Sequence, residues 1–504
     1  MTALDPSSPV AVVGTGTMGQ GIAQVALVAG HPVRLYDAVD GRARQAADAI
    51  GARLDRLVEK ERLTADERDA ARARLRPVGE LTGLADCSLV VEAVLERLDV
   101  KQELFRALED VVSDDCLLAT NTSSLSVTAI GGALRVPGRF VGLHFFNPAP
   151  LLPLVEVVSG SATDVAYATR AYETARAWGK TPVACADTPG FIVNRVARPF
   201  YAEAFAVHES RGADPATIDA VLRESGGFRM GAFELTDLIG QDVNESVTHS
   251  VWRSFFQDVR FTPSLAQRRL VESGRLGRKS GRGWYDHREG AERPEPHTAE
   301  PAEPPAYVVA EGGLGPAAEL LALIREAGIE VREEDEDDGT RLVLPGGGRL
   351  VLADGRTSVE FRDVVHFDLA LDYRGATRIA LSHAPNTSPE TVAGATGLFQ
   401  ALGKKVSVIG DVPGMIVART VARIIDLAVD AVAKGVATEE DVDTAMRLGV
   451  NYPLGPLEWS RRLGAGWAFS LLDNLHRCDR SGRYAPSLAL YRHAYASDQR
   501  EGTS

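Results

Sequence analysis

The sequence predicts an open, mostly parallel α/β domain followed by an all-helical domain, then a reduced α/β domain and a second copy of the helical one. Three observations carry this. The stretch from Val10 to Asp37 reads strand, glycine turn, helix, strand. Apolar strand-like runs alternate with helical segments up to about residue 187, after which only the helical pattern continues. Residues 403–419 (GKKVSVIGDVPGMIVAR) align without gaps on 179–195 (GKTPVACADTPGFIVNR), with eight of seventeen positions identical.

Val10–Val13 is a short buried strand, Gly14-x-Gly16-x-x-Gly19 the turn, Met18–Ala29 an apolar-rich helix and Val33–Tyr36 a second strand ending on Asp37. In this context the glycines form a dinucleotide fingerprint: Gly14 for the tight turn, Gly16 for close approach of a pyrophosphate, Gly19 for helix–strand packing. The N–H groups at the helix start, Thr17 and Met18, face the phosphate charge. Asp37 stands where a carboxylate accepts both hydroxyls of the adenosine ribose and repels a 2′-phosphate, so the expected cofactor is NAD.

The charged, Ala-rich segment Gly41–Leu75 suits a helical hairpin standing off the sheet. Further strands are expected at Ser88–Glu92, Cys116–Thr120, Arg139–Leu143, Leu154–Val158 and Thr181–Cys185, with helices near Leu98–Val112 and Asp164–Trp178. Ligands of such sheets sit beyond the carboxyl ends of the strands, where Glu92–Glu96, Asn121–Ser124 and His144 fall. The expected divisions are a Rossmann-type domain over 8–187, a helical domain over 188–286, a Pro/Glu-rich linker over 287–305, a reduced Rossmann-like domain over 306–410 and a second helical domain over 411–500. In the second copy Gly16 and Gly19 correspond to Leu314 and Ala317, His144 to Asp368, Glu156 to Ala380 and Asn194 to Ala418. That half is expected to have lost its polar positions, kept its apolar pattern and taken a structural role.

The formal charge of −14 argues against nucleic acid or an anionic membrane as partner. The opening MTALDPSSPV has neither a basic n-region nor an apolar h-region, and no run approaches the roughly 18 apolar residues of a membrane span. Cys87, Cys116, Cys185 and Cys478 show no C-x-x-C spacing, so reduced thiols are expected and no metal site. The expectation is a cytoplasmic protein.

His144 and Glu156 are the central pair. A carboxylate bonded to one imidazole nitrogen fixes the tautomer and leaves the other nitrogen to take a proton, which oxidation of a secondary alcohol beside NAD requires. Ser123 reads either as a hydrogen-bond donor to the reacting oxygen or as a turn or helix cap. Asn194 reads either as an amide holding a carbonyl or as a capping residue.

The motifs GTGTMGQGIA, VVEAVLE, NTSSL, HFFNPAPLLPLVEVV, DTPGFIVNR and GRKSGRGWYD resemble, in order and spacing, the bacterial L-3-hydroxyacyl-CoA dehydrogenases over residues 10–286. The tandem layout is similar to the long single-chain forms acting on 3-hydroxybutyryl-CoA or 3-hydroxyadipyl-CoA. The resemblance implies His144 as general base with Glu156 as its partner, Ser123 and Asn194 on the substrate's 3-oxygen and thioester region, and Asn147 supporting the site. It further implies Glu96 and Lys101 at the nicotinamide-side ribose, Asn121 among the cofactor contacts, and Lys60 at the CoA 3′-phosphate. Leu152-Pro153 departs from the Met-Lys that relatives often carry, which bears on acyl-pocket shape. The implied partner is an acyl-CoA, with an intramolecular pseudo-dimer of the two helical domains and a homodimer left open. Two rival readings stand beside this one: an idle NAD-binding scaffold or redox sensor, and a dehydrogenase of free hydroxy or sugar acids.

Overall fold

The computed structural model describes residues 2–334 and 340–501; 335–339, within the expected reduced domain, lie outside the described residues. The chain forms two compact units, Met1–Arg195 with Lys434–Val450, and Val196–Ala433 with Asn451–Ser504.

The first unit is built on strands β1 (Val10–Val13), β2 (Val33–Tyr36), β3 (Leu75–Pro77), β4 (Leu89–Glu92), β5 (Leu117–Thr120), β6 (Phe140–Phe145), β7 (Leu154–Ser159) and β8 (Thr181–Ala186). They lie in the order β3-β2-β1-β4-β5-β6-β7-β8. The strand order reverses at β1 and β4, the crevice where α/β sheets bind ligands. β1, β4 and β5 are buried along their whole length, as continuous apolar runs covered on both faces must be. All neighbours run parallel except β6 and β7. Residues 146–153 between those two are too few for a crossover helix, so the chain turns back on itself. Helix α1 (Thr17–Val28) follows the glycine turn, and α2 (Arg42–Glu59) and α3 (Ala65–Arg74) form the expected hairpin, α3 starting in a Thr64–Glu67 capping box. A helix from the far end of the chain, Glu439–Val450, packs on β7 and β8. Beside it the Ala186 N–H donates to the Val436 carbonyl (2.8 Å).

The second unit carries the seven-stranded sheet β10-β9-β11-β12-β13-β14-β15: β9 (Tyr307–Glu311), β10 (Glu330–Glu334), β11 (Arg341–Val343), β12 (Arg349–Leu352), β13 (Val364–Phe367), β14 (Arg378–His383) and β15 (Lys405–Ile409). Two strand–helix–strand units survive (β9, Glu319–Glu326, β10, and β14, Pro389–Ala401, β15), and the hairpin β11–β12 stands where further crossovers would be. β13, β14, the helix Pro389–Ala401 and β15 begin 224 residues after β6, β7, the helix Val165–Ala177 and β8, so the repeat is structural as well as sequential. The Pro/Glu-rich run has no helix or strand from 291 to 305, yet it is held at Arg293, whose Nη2 donates to Glu234 Oε2 (2.6 Å), and from His297 onward. The Ala299 N–H donates to the Val406 carbonyl, and the His297 carbonyl accepts from Ser407 Oγ (2.7 Å) and Arg378 Nη1 (3.0 Å).

Helices Arg198–Glu209 and Val417–Ala433, one from each helical copy, pack together around buried charge. Glu203 receives Arg419 Nε (3.0 Å) and Arg483 Nη2 (3.2 Å). Burial alone would raise the Glu203 pKa, but the two guanidinium groups hold it below the ordinary carboxylate range.

One expectation is corrected. The second copy has not lost every polar position: Asp368, at the place of His144, is fully buried and ordered. Its carboxylate accepts from the N–H groups of Ile416 (3.0 Å), Val417 (2.8 Å) and Ala418 (3.0 Å). These backbone donors would be orphaned in an apolar core, so the fold keeps an acceptor for them. Among the described residues no helix is long and apolar enough to cross a membrane, and no group of three His, Cys, Asp or Glu could hold a metal ion. Cys87, Cys116, Cys185 and Cys478 are free thiols, and burial pushes Cys116 up to about 12.

Candidate active site

The glycine turn has the shape the fingerprint requires. Gly14 takes φ +91°, and a β-carbon there would sit 2.6 Å from the Ala93 carbonyl oxygen. At Gly19 it would lie 1.8 Å from the Gly14 carbonyl, whereas at Gly16 it would meet nothing. Helix α1 starts at Gly16 with no side-chain cap and no acid in its first turn, leaving the N–H groups of that turn, Thr17 and Met18 among them, to an anion. A cleft beside it is lined by Thr15, Gly16, Gln20, Asp37, Arg42, Gln45 and Ala46. Asp37 Oδ2 accepts from Thr15 N (2.9 Å) and Thr15 Oγ1 (2.7 Å), and Oδ1 from Val39 N (3.0 Å). Partial burial opposes the charged form, but these bonds and the nearby Arg42 hold Asp37 below the usual carboxylate range. An open anion-binding turn next to an ionised acid is what a dinucleotide without a 2′-phosphate fits.

The strand ends carry the remaining groups. Glu92, wholly buried at the end of β4, accepts from Lys101 Nζ (2.6 Å), Thr120 Oγ1 (2.6 Å) and the Val94 N–H (2.6 Å). Lys101 is itself buried and reaches Glu96 at 3.3 Å. Glu96 Oε1 gathers the loop after β5, accepting from Thr122 Oγ1 (2.6 Å), Ser123 N (2.9 Å), Ser124 N (3.1 Å) and Ser124 Oγ (3.0 Å). Burial would raise the Glu96 pKa, but Lys101 and these donors keep it low. Lys101 therefore sets the Glu96 carboxylate and the Ser123 loop rather than standing open toward a ligand. Asn121 Oδ1 accepts from the Phe145 N–H (2.8 Å), tying this loop to the strand of His144.

His144 and Glu156 face each other across the β6–β7 pair. His144 Nδ1 lies 2.6 Å from Glu156 Oε2. A carboxylate only accepts, so Nδ1 bears the hydrogen, and in the neutral ring Nε2 is the nitrogen left with its lone pair. Glu156 Oε1 is held from the other side by the N–H groups of Ile192 (3.0 Å) and Val193 (2.9 Å). The imidazole packs against the rings of Phe146 (4.5 Å) and Phe191 (5.8 Å). Asn194, one residue beyond Val193, donates from Nδ2 to the Ser123 carbonyl at 3.5 Å.

The structure thus gathers His144, Glu156, Ser123, Asn194, Asn121, Glu96 and Lys101 at one end of the sheet, with Gly14, Gly16, Gly19 and Asp37 along the same edge. Asn147 is exposed three residues past His144. Lys60 is exposed at the end of α2. Sequence reasoning placed Glu92 at a strand end without giving it a role, and did not name Lys180. Glu92 anchors Lys101, and Lys180 Nζ donates to the carbonyls of Ala149 (2.5 Å) and Leu152 (2.9 Å), fixing the loop that follows His144. For Glu92 a signal existed, a carboxylate ending an apolar strand; for Lys180 there was none.

Comparison with known proteins agrees with this geometry. Residues 9–188 match the 3-hydroxyacyl-CoA dehydrogenase NAD-binding domain, 190–287 and 414–502 the C-terminal domain of that family, and 350–413 the 3-hydroxybutyryl-CoA dehydrogenase reduced Rossmann-fold domain. The chain is 44% identical over 486 residues to a 3-hydroxyadipyl-CoA dehydrogenase of Escherichia coli K12, covering 96% of this chain and 97% of that protein. It is 38% identical to a 3-hydroxybutyryl-CoA dehydrogenase of Mycobacterium tuberculosis over 285 residues, 56% of this chain and 99% of the relative. The crystal structure of a 3-hydroxybutyryl-CoA dehydrogenase from Escherichia coli K12 superposes with a TM-score of 0.89 at 43% identity, covering 99% of this chain and 100% of that one. With family matches along both halves and a relative aligned over nearly its full length, the chain belongs to the 3-hydroxyacyl-CoA dehydrogenase family.

Proposed function

We propose that the protein oxidises the 3-hydroxyl of a short (S)-3-hydroxyacyl-CoA, 3-hydroxybutyryl-CoA or 3-hydroxyadipyl-CoA, to the 3-oxoacyl-CoA, reversibly and with NAD. The observation that carries the reading is the 2.6 Å bond from His144 Nδ1 to a Glu156 that two backbone N–H groups hold in place. With Nδ1 so engaged, His144 Nε2 takes the hydroxyl proton, and Glu156 stabilises the imidazolium that results. NAD, bound at the glycine turn and Asp37, supplies the hydride acceptor. Ser123 Oγ and the Asn194 amide hold the reacting oxygen and the thioester region. Glu96, set by Lys101, orients the cofactor end of the site together with Asn121. Asn147 and Lys60 are assigned to substrate, Lys60 to the CoA phosphate.

The reading includes the domain limits 8–187, 188–286, 287–305, 306–410 and 411–500. It also includes a cytoplasmic location, which four free cysteines support. The two helical copies are read as a pseudo-dimer within one chain. Phe228 and Tyr452, 224 positions apart, touch each other (5.2 Å), as equivalent residues do at a twofold axis.

The test compares kcat/KM for (S)-3-hydroxybutyryl-CoA, 3-hydroxyadipyl-CoA, longer 3-hydroxyacyl-CoA thioesters and free (S)-3-hydroxybutyrate. The reading expects a maximum at one of the two short thioesters and little turnover without CoA. Equal turnover of the free acid would favour the hydroxy-acid rival. No turnover of any thioester, with NADH binding intact, would favour the idle scaffold.

A further inference from the structure

The two copies exchange helices. The Gly410 N–H donates to the Gly212 carbonyl (2.8 Å), and its counterpart 224 residues earlier, the Ala186 N–H, donates to the Val436 carbonyl (2.8 Å). Helix Pro215–Glu224 of the first copy packs on β14, and its repeat, Glu439–Val450, packs on β7 and β8. The reciprocity reaches single residues. Ser225 Oγ donates to the Arg378 carbonyl (2.6 Å), and the corresponding Gly449 lies against Leu154, which corresponds to Arg378.

The half of this exchange that lies on β7 stands behind the catalytic pair. β7 carries Glu156, and the turn that grips Glu156 ends at Val193. A β-carbon at Gly449 would sit 2.7 Å from Leu154 Cδ2 and 3.0 Å from Val193 Cγ2. Closely packed interiors transmit such displacements rather than absorb them. The contact therefore touches a side chain on each support of Glu156: Leu154 on the strand that bears it, and Val193, whose backbone N–H holds Oε1.

We propose that Gly449, on the helix lent by the C-terminal repeat, is a positioning residue for Glu156 and through it for His144. The worn second copy thus takes part in the reaction: it supplies the wall against which the Glu156 grip is set. The proposal rests on the dehydrogenase reading above, with His144 and Glu156 as its base and partner.

The full-length protein is assayed with acetoacetyl-CoA and NADH as Gly449→Ala, Val193→Ala and the double variant, next to the parent and His144→Gln. Gly449→Ala presses on Leu154 and Val193, and Val193→Ala empties the Val193 side of the same contact. Each single change is expected to lower kcat by about five- to tenfold, since small misplacements of catalytic groups have effects of that order or larger. KM for NADH should stay within about twofold, because the change moves the chemistry and not the binding of cofactor. The double variant, in which Gly449 gains one methyl group and Val193 loses two, relieves the Val193 side of the contact and is expected to recover part of the lost kcat. Ser225→Ala, on the twin helix, should lower thermal stability and leave kcat unchanged. The proposal is overturned if both single variants keep parental kcat while His144→Gln is inactive, or if the double variant multiplies the two losses instead of relieving them. Should Gly449→Ala fail to accumulate as folded protein, Val193→Ala decides alone: a parental kcat refutes the proposal and a selective fall supports it. Full activity in His144→Gln would instead overturn the His144–Glu156 assignment on which the proposal rests, and a parent inactive with the CoA thioester would overturn the dehydrogenase reading.

Discussion

Replacing Glu156 by Gln removes one charge and almost no volume, so its effects can be worked from three bonds. Glu156 accepts from His144 Nδ1 on one oxygen and from the Ile192 and Val193 N–H groups on the other. Glutamine has one oxygen and one NH2 group. Turned toward Ile192 and Val193, its oxygen serves both backbone donors, and its NH2 then faces Nδ1. The imidazole answers by taking the other tautomer, with Nδ1 accepting and Nε2 carrying the hydrogen, and a protonated Nε2 cannot act as base. Turned the other way, the NH2 confronts two backbone donors in a site closed to water. Either arrangement loses the charge-assisted strength of these bonds, about 1.5–3 kcal/mol each against about 1 kcal/mol when neutral. The expected fall in kcat is about 10²–10⁴, the range of a lost acid–base function. Stability should drop by about 2–4 kcal/mol. Asp368→Asn is the matched comparison, because Asp368 grips the Ile416, Val417 and Ala418 N–H groups with no histidine attached. It should lose stability and keep its kcat. The assay is NAD reduction with (S)-3-hydroxybutyryl-CoA, the direction in which His144 is the base, with urea unfolding of the same samples. A Glu156→Gln protein turning over within about threefold of the parent would refute the tautomer argument, since acid–base contributions are far larger.

Two further outcomes follow from the same structure. Burial pushes Asp219 from 3.8 up to about 7, against the opposing bonds from Tyr285 and Phe233. The folded chain then holds a proton that the unfolded chain has released between those values, so this group's contribution is present at low pH and lost as pH rises toward 7. From pH 5 to pH 8 the parent should lose about 2–3 kcal/mol of unfolding free energy relative to Asp219→Asn; urea melts at the two pH values would show it, and parallel shifts would contradict it. Deleting 306–504 removes helix 439–450 from β7 and β8 and strips Glu203 of Arg419 and Arg483. The fragment should be insoluble or dimeric in sedimentation, and a stable, active monomer would count against the internal pairing.

Much of the site was legible because its spacing is local. Gly14 to Asp37 is one strand–helix–strand unit, and Gly19 is explained by the Gly14 carbonyl five residues away, although Gly14 itself meets Ala93 at the end of β4. His144 and Glu156 could be paired on paper because they flank a turn too short for a crossover, which brings them opposite each other. Lys101 was harder. Its position near the cofactor end was readable, but its burial against Glu92 depends on a strand end and a helix meeting in three dimensions. Asp368 was misjudged for a related reason. Seen as a letter replacing His144 it looked like decay, whereas the helix N-terminus it satisfies exists in both copies and needs an acceptor in each. The lent helix 439–450 was out of reach: apolar periodicity says that a helix buries a face, not which sheet receives it.

The most direct measurement is single-turnover and steady-state reduction of acetoacetyl-CoA by the parent protein and by His144→Gln, with NADH affinity measured separately. The account predicts a parent that consumes NADH only with the CoA thioester, and a variant slower by about 10²–10⁴ that binds NADH as before. A variant as fast as its parent would show that the proton reaches the 3-oxygen by another route, and the role assigned to His144 would fall.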